Sequence, residues 1–178
     1  MKKTPAWLIL CIIALVAGAA LGMTNALTIE EIDRQAVAAA ELARKAVLAD
    51  AEEFTRLDLA EGAAVDNCYQ AKKGGELVGH VTQVTVKGYG GPIEVTVGFN
   101  AAGEITGMMC GGSGFSETPG LGAKVKEEAF YSQFTGMAAP VELTKNGGEV
   151  DSVTAASISS GAVCRAVNIA ADYVAGLR

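Results

Sequence analysis

The chain has 178 residues, half of them apolar and 22 of them glycine, and 20 acidic side chains against 14 basic ones give a net charge of −6. That composition excludes a disordered tail and an all-helical rod, and the acidic balance argues against nucleic acid or anionic lipid headgroups as partners. One histidine and four cysteines without a CxxC pair leave no legible zinc or iron–sulfur site.

Lys2 and Lys3 are the only charges before Glu30, and Trp7 through Met23 is almost wholly apolar. About 20 such residues at roughly 1.5 Å rise cross a hydrocarbon core of roughly 30 Å. Residues 1–27 are therefore expected to be a single-pass transmembrane anchor, its N-terminus cytoplasmic beside the two lysines and the rest of the chain extracytoplasmic. A cleaved signal peptide with Ala17-Gly18-Ala19 as its small-residue site competes with this reading, although an h-region is usually shorter. A lipid-modified Cys11 is a third reading, against which stands the bulky Leu10 before it; otherwise Cys11 is one more apolar residue of a spanning helix. With Lys2 and Lys3 set aside, 12 basic side chains face 20 acidic ones, a net −8 beyond the membrane.

Thr28-Ile29-Glu30-Glu31 has the pattern of a capping box, with Thr28 as N-cap and Glu31 three residues on. It predicts the start of an Ala- and Leu-rich helix that runs to about Phe54, uninterrupted by Pro or Gly. Its apolar positions Ile32, Val37, Ala40, Val47, Ala51 and Phe54 drift around the helix. Residues 28–61 are expected to connect the anchor stiffly to a globular domain spanning 62–178.

From Gly62 the chemistry changes to that of strands. Lys72–Glu76 reads as a turn; Val78, Thr82, Val84 and Val86 then alternate with polar partners, and Ile93, Val95, Val97 and Phe99 do so more cleanly. Asn100–Gly103 closes a hairpin into Glu104–Cys110, and Lys87–Pro92 is a glycine-loaded bend. These three strands predict an antiparallel sheet with one buried face. A short helix is expected from about Ala123 to Phe134 and a last strand near Gly148–Val153. In the final helix Val163, Val167, Ala170, Val174 and Leu177 recur on one face. The fold class is α+β: a transmembrane helix, then one antiparallel-sheet domain flanked by helices.

Two strings hold the chemistry. Asp151–Val163 carries hydroxyls at Thr154, Ser157, Ser159 and Ser160 among small alanines at the start of a helix. Exposed amides and the helix dipole suit an anion there. N-capping alone explains one hydroxyl or two, not four within seven residues. The other string is Ser116-Glu117-Thr118-Pro119-Gly120-Leu121-Gly122, where Pro119 fixes φ and the glycines permit close backbone approach. Taken alone it is a Pro-Gly turn. Of the single residues, His80 reads as a hydrogen-bonded structural residue and Cys110 as no nucleophile. Cys68, Cys110 and Cys164 read as buried free thiols in preference to one disulfide with a cysteine left over. Tyr89, Phe115, Tyr131 and Phe134 read mostly as core.

Both strings, with Gly88-Tyr89-Gly90-Gly91-Pro92-Ile93 upstream as a third in the right order, resemble the covalent-FMN domain of the RnfG and NqrC electron-transfer proteins. The short length and N-terminal anchor are more similar to RnfG. The family pattern is Asp, two residues, Ser or Thr, Gly, Ala, then Thr or Ser, with a further Ser or Thr two residues on. On this chain it falls on Asp151, Thr154, Ala155, Ala156, Ser157 and Ser159, with Ala155 in place of the usual Gly and Ser157 in place of the commoner Thr. The resemblance implies FMN joined to the Ser157 hydroxyl as a phosphoester, Thr154, Ala155, Ala156 and Ser159 around it, and Glu117, Thr118, Leu121 and Gly122 against the ring or ribityl chain. It implies no independent substrate catalysis, but an electron-transfer subunit of a translocase; the spacing of cysteines and the lone histidine already leave no metal site to expect. Such a complex passes electrons between ferredoxin and NAD, coupled to Na⁺ or H⁺ transport. The implied partners are RnfD-, RnfA- and RnfE-like subunits, with RnfB and RnfC further along the complex, and an ApbE-like flavin transferase for maturation. Two alternatives stay open on sequence: a stand-alone extracytoplasmic FMN domain of another reductase, and an anchored pilin-like structural protein. A solute-binding module is a weaker third.

Overall fold

The structure, a computed structural model, describes residues 5–177; Lys2 and Lys3, which carry the expected orientation, lie outside the described residues. Two units divide the chain, Met1–Ala39 and Ala40–Arg178. The first is formed by most of α1, which spans Ala6–Val47. Its apolar stretch is long enough to cross a membrane, and no part of that stretch is buried within the protein, unlike the core helix of a soluble domain.

The helix does not restart at Thr28. The Thr28 hydroxyl donates back to the Thr24 carbonyl at 3.0 Å, and Thr24 does the same to Ala20 at 2.9 Å. With no Pro or Gly between them the backbone ladder simply continues, and both hydroxyls are satisfied by back-bonding in place of capping. Nor does α1 reach Phe54. It ends at Val47, and Glu53–Arg56 forms β1, an edge strand paired with Tyr69–Lys72. Cross-strand pairing here overrides the helix propensity of the Ala-rich run.

In the second unit β1 is followed by β2 (Asn67–Lys73), β3 (Glu76–Lys87), β4 (Pro92–Asn100) and β5 (Ile105–Gly111), an antiparallel meander in spatial order β1-β2-β3-β4-β5. The expected three strands are thus five. The predicted turns fall where the sequence put them: Gly74 and Gly75 at positive φ join β2 to β3, and Gly103 at φ +89 follows Asn100. One face of the sheet carries Val84, Ile93, Val95, Val97, Phe99, Met108 and Cys110 into the main core. The helix α3, Ser157–Ala175, covers it with Ala162, Val163, Ala166, Val167, Ala170 and Val174. Leu177, the last member of the predicted stripe, lies past the helix end and is exposed.

The predicted helix 123–134 is broken into a 3₁₀ turn at Gly122–Lys126, the short α2 at Glu128–Tyr131 and a second 3₁₀ turn at Ser132–Phe134. Glu127 sits in extended conformation at φ −80, ψ 145 and interrupts it. The break lets Val125, Phe130 and Phe134 all reach the core, the two rings meeting edge to face at 5.6 Å. The predicted last strand reduces to one parallel bridge between Leu143 and Val150. Gly147 at φ +91 turns the chain immediately before it, and no second residue pairs.

The outer face of the sheet is closed by the last turn of α1. Val47 and Leu48 pack with Ala71 and Val81. Gly98 and Gly107 stand opposite each other on β4 and β5 directly beneath the Val47 backbone. A Cβ on Gly98 would strike the Val47 carbonyl, and one on Gly107 would lie 3.0 Å from the Val47 Cα. The bare backbone lets the helix end settle, and the Thr106 hydroxyl donates to the Val47 carbonyl at 2.5 Å, satisfying one of the acceptors a helix leaves open.

Candidate functional site

A cleft of about 400 Å³ opens where three segments of the second unit meet, lined by Tyr89, Glu117, Thr118, Leu121, Gly122 and Ala155–Ser159. It therefore collects eight of the nine residues singled out in the sequence: Glu117, Thr118, Leu121, Gly122, Ala155, Ala156, Ser157 and Ser159. Thr154 is the exception. It faces a neighbouring hollow of about 310 Å³ with Lys124, Glu127 and Gln133.

Local sequence explains each wall. In the Ser116–Gly122 loop, Leu121 N–H donates to the Thr118 carbonyl at 3.1 Å, with Pro119 second and Gly120 third at φ +77. That is the residue pattern of a type II turn. Opposite, Gly88 N–H donates to the Gly91 carbonyl at 2.9 Å and closes the bend between β3 and β4. The two loops lie backbone on backbone: a Cβ on Gly90 would strike the Ser116 carbonyl, and one on Gly91 would lie 3.1 Å from the Ser116 Cβ.

Glu117 ties all three segments together. It is 6% exposed, and its Oε1 accepts from the Tyr89 N–H at 2.8 Å and the Gly90 N–H at 3.0 Å. Its Oε2 accepts from the Ser159 hydroxyl at 2.7 Å. Hydrogen bonds to a charged group contribute roughly 1.5–3 kcal/mol each. Gly88 and Gly122 make room for this carboxylate, since a Cβ on either would collide with it.

The third wall is the start of α3. Ser160 N–H is the first in the helix to bond backward, to the Ala156 carbonyl at 3.0 Å, so the amides of the first turn point outward without an intrahelical partner. No side chain caps the end. The four hydroxyls divide by role. Ser160 accepts from Val153 N–H and donates to the Ala156 carbonyl, both at 3.0 Å. Ser159 is bound to Glu117. Among the described residues Ser157 and Thr154 have no hydrogen-bonding partner, and of these two only Ser157 lines the cleft. Upstream, Gln133 fixes Asp151 from both sides, accepting from its N–H at 2.8 Å and donating to its carbonyl at 3.3 Å.

Ala155 sits at φ +61, the single non-glycine residue at positive φ among the described residues. Such a backbone costs a residue with a Cβ roughly 1–2 kcal/mol, and held strain of this kind gathers at binding sites.

Two further residues line the cleft. Tyr89, read from sequence mostly as core with contact to a flavin ring as the minor alternative, is 70% exposed there, and Ile158, which the sequence reading passed over, is 57% exposed beside Ser157. With Leu121 they give the cleft three large apolar side chains. Ile158 was visible as an apolar residue out of phase with the α3 stripe; Tyr89 stands between glycines, where no periodicity speaks. A larger hollow of about 590 Å³ near Pro140 carries Glu142 and Glu149 and, unlike the cleft, no α-helix N-terminus to offset them, a poorer seat for an anion. Cys68, Cys110 and Cys164 are free and buried. Burial pushes the Cys110 thiol up to about 12 and those of Cys68 and Cys164 to about 11, so none supplies a thiolate. Among the described residues no cluster of His, Cys, Asp or Glu has the makings of a metal site.

The FMN-binding domain family matches residues 88–172, which contain all three walls of the cleft. The G subunit of the Na⁺-translocating ferredoxin:NAD⁺ oxidoreductase complex of Acetobacterium woodii is 34% identical, covering 91% of this chain and 86% of its own length. The G subunit of the ion-translocating oxidoreductase complex of Methanosarcina acetivorans is also 34% identical, over 92% of this chain and 89% of its own. Among solved structures, the C subunit of the Na⁺-translocating NADH-quinone reductase of Parabacteroides distasonis is similar at 23% identity and a TM-score of 0.49, covering 61% of this chain and 60% of that one. The chain belongs to the G-subunit (RnfG) family of ion-translocating oxidoreductase complexes.

Proposed function

We propose that this RnfG-family protein holds FMN in the cleft between Gly88–Gly91, Ser116–Gly122 and the start of α3, joined through its phosphate to the Ser157 hydroxyl. The residues fit the group. Unbonded amides at the N-terminus of α3 suit a phosphate, and Tyr89, Leu121 and Ile158 offer apolar surface to a planar ring. The observation that carries the reading is the division of the four hydroxyls: two are bound within the fold, one faces elsewhere, and Ser157 is left for the cleft.

FMN supplies the redox chemistry, taking up electrons from one centre and passing them to another. The protein's part is to hold the cofactor, shield it and fix the charges around it. A phosphoester makes retention independent of any binding constant, which suits a carrier in a compartment without an FMN pool. The membrane anchor, with the N-terminus cytoplasmic and the FMN domain extracytoplasmic, keeps the flavin near embedded partners and raises their effective concentration. Those partners are the RnfD-, RnfA- and RnfE-like subunits, with RnfB and RnfC completing the path between ferredoxin and NAD, and an ApbE-like transferase makes the link. Translocation of Na⁺ or H⁺ belongs to the other subunits, because one apolar helix without an internal charge forms no ion path. Membership of the G-subunit family sets the pilin-like alternative aside.

Intact-mass spectrometry of the full-length protein co-expressed with its flavin transferase tests the assignment. The added mass of FMN is expected in the parent and in Thr154→Ala, and is lost in Ser157→Ala. Retention of that mass in Ser157→Ala refutes the acceptor.

A further inference from the structure

We propose that Glu117 is a fixed negative charge in the cleft wall that holds down the reduction potential of the bound flavin. This rests on the flavin reading above and adds a role for one residue. Both carboxylate oxygens are engaged: Oε1 accepts from Tyr89 N–H and Gly90 N–H, and Oε2 lies 2.7 Å from the Ser159 hydroxyl, contacts that favour the charged form. All three donors are neutral. The ion pairs among the described residues are Arg34 with Glu31 and Lys73 with Asp50, so Glu117 has no lysine or arginine in direct ion-pair contact. It is buried, it lines the cleft, and glycines at 88 and 122 keep open the space it occupies.

A tie between three segments does not require a charge, and burying one is costly unless it is well bonded. A charge in a poorly solvated wall acts on its neighbours with little screening. Two-electron reduction of flavin at neutral pH takes up one proton, so the ring gains one negative charge. A carboxylate in the wall opposes that gain, and fixed charges near the ring are among a flavoprotein's means of setting potential.

The test is a redox titration of the full-length, transferase-matured protein in detergent, with dithionite as reductant and a reference dye, followed by flavin absorbance. Glu117→Gln keeps the size and an accepting oxygen and removes the charge. It should shift the equilibrium with the dye at least tenfold toward reduced flavin, about 30 mV for a two-electron couple. Ser159→Ala keeps the charge and removes one of its donors, leaving the carboxylate less neutralised, and should shift the equilibrium the opposite way. A purely structural tie predicts that both variants loosen the cleft and move alike. Superimposable titrations of parent and Glu117→Gln, or shifts of the same sign in both variants, overturn the inference. If Glu117→Gln takes up no flavin, Ser159→Ala decides alone: a lower potential supports the role, and an unchanged or higher one refutes it. A parent protein matured without any flavin overturns the reading of the cleft itself, and this inference with it.

Discussion

Ala155 holds a backbone conformation that glycine adopts without strain, and removing its methyl group should stabilise the protein. At φ +61 the Cβ costs roughly 1–2 kcal/mol. Glycine gives back roughly 0.5–1 kcal/mol through the greater freedom of the unfolded chain. Ala155 is exposed, so its methyl contributes little packing. The net expectation for Ala155→Gly is a gain of about 0.5–1 kcal/mol, or a rise in Tm of roughly 1–4 °C for a protein of this size. Gly120 supplies the mirror experiment: it sits at φ +77, and a Cβ there would meet nothing within 4 Å. Gly120→Ala therefore adds strain without a clash and should lower stability by about 1 kcal/mol. Thermal unfolding of the full-length protein in detergent, followed by circular dichroism, measures both. An unchanged or lower Tm for Ala155→Gly, alongside the expected loss for Gly120→Ala, would show that the strain at 155 is not real.

Two further outcomes follow from the sheet. Burial, and secondarily the charge of Asp66, hold the Glu94 carboxyl above its ordinary value. A raised carboxyl favours folding in its neutral form, so its contribution is lost as pH rises through the folded value. Glu94→Gln should be more stable than the parent at neutral pH, with the gap closing toward pH 4 in denaturant titrations; a gap that widens on acidification contradicts the assignment. On the outer face, Gly98→Ala puts a methyl group into the Val47 carbonyl and 2.7 Å from the Thr106 hydroxyl. Overpacking of this kind costs roughly 1–3 kcal/mol, and the amides of Val47 and Leu48 should lose protection in hydrogen exchange ahead of those in α3.

The parts of the fold legible in the sequence were those whose local chemistry agreed with their final surroundings. Ile93 to Phe99 alternates because the main core takes the apolar face of β4, while Thr96 and Gly98 are buried on the other, Gly98 beneath the end of α1. Val163 to Val174 repeats because one side of α3 is buried. β1 was illegible since its pairing with Tyr69–Lys72 is fixed by a partner strand, not by its own composition. The helix start at Thr28 failed for the opposite reason: a sound capping pattern lay inside a helix that had no cause to stop. At the site, the two strings located the walls of the cleft but not the division of labour among their hydroxyls. Ser159 and Ser160 are bound by residues 42 and 7 positions away, and no local pattern reveals which serine such contacts consume. The departure of Ala155 from glycine was readable, and the structure gives it a dihedral angle.

The single carboxylate at 117 reaches partners 28 and 27 residues back along the chain and 42 residues forward. The cleft has all three of its walls only when the loops of the sheet unit and the start of α3 are together. A nascent or misassembled molecule thus has no cavity to offer, and whatever the cavity grips without a bond is gripped by finished molecules alone. Tint retained by the gripping cavity would count correctly assembled copies, before any assay of turnover is run.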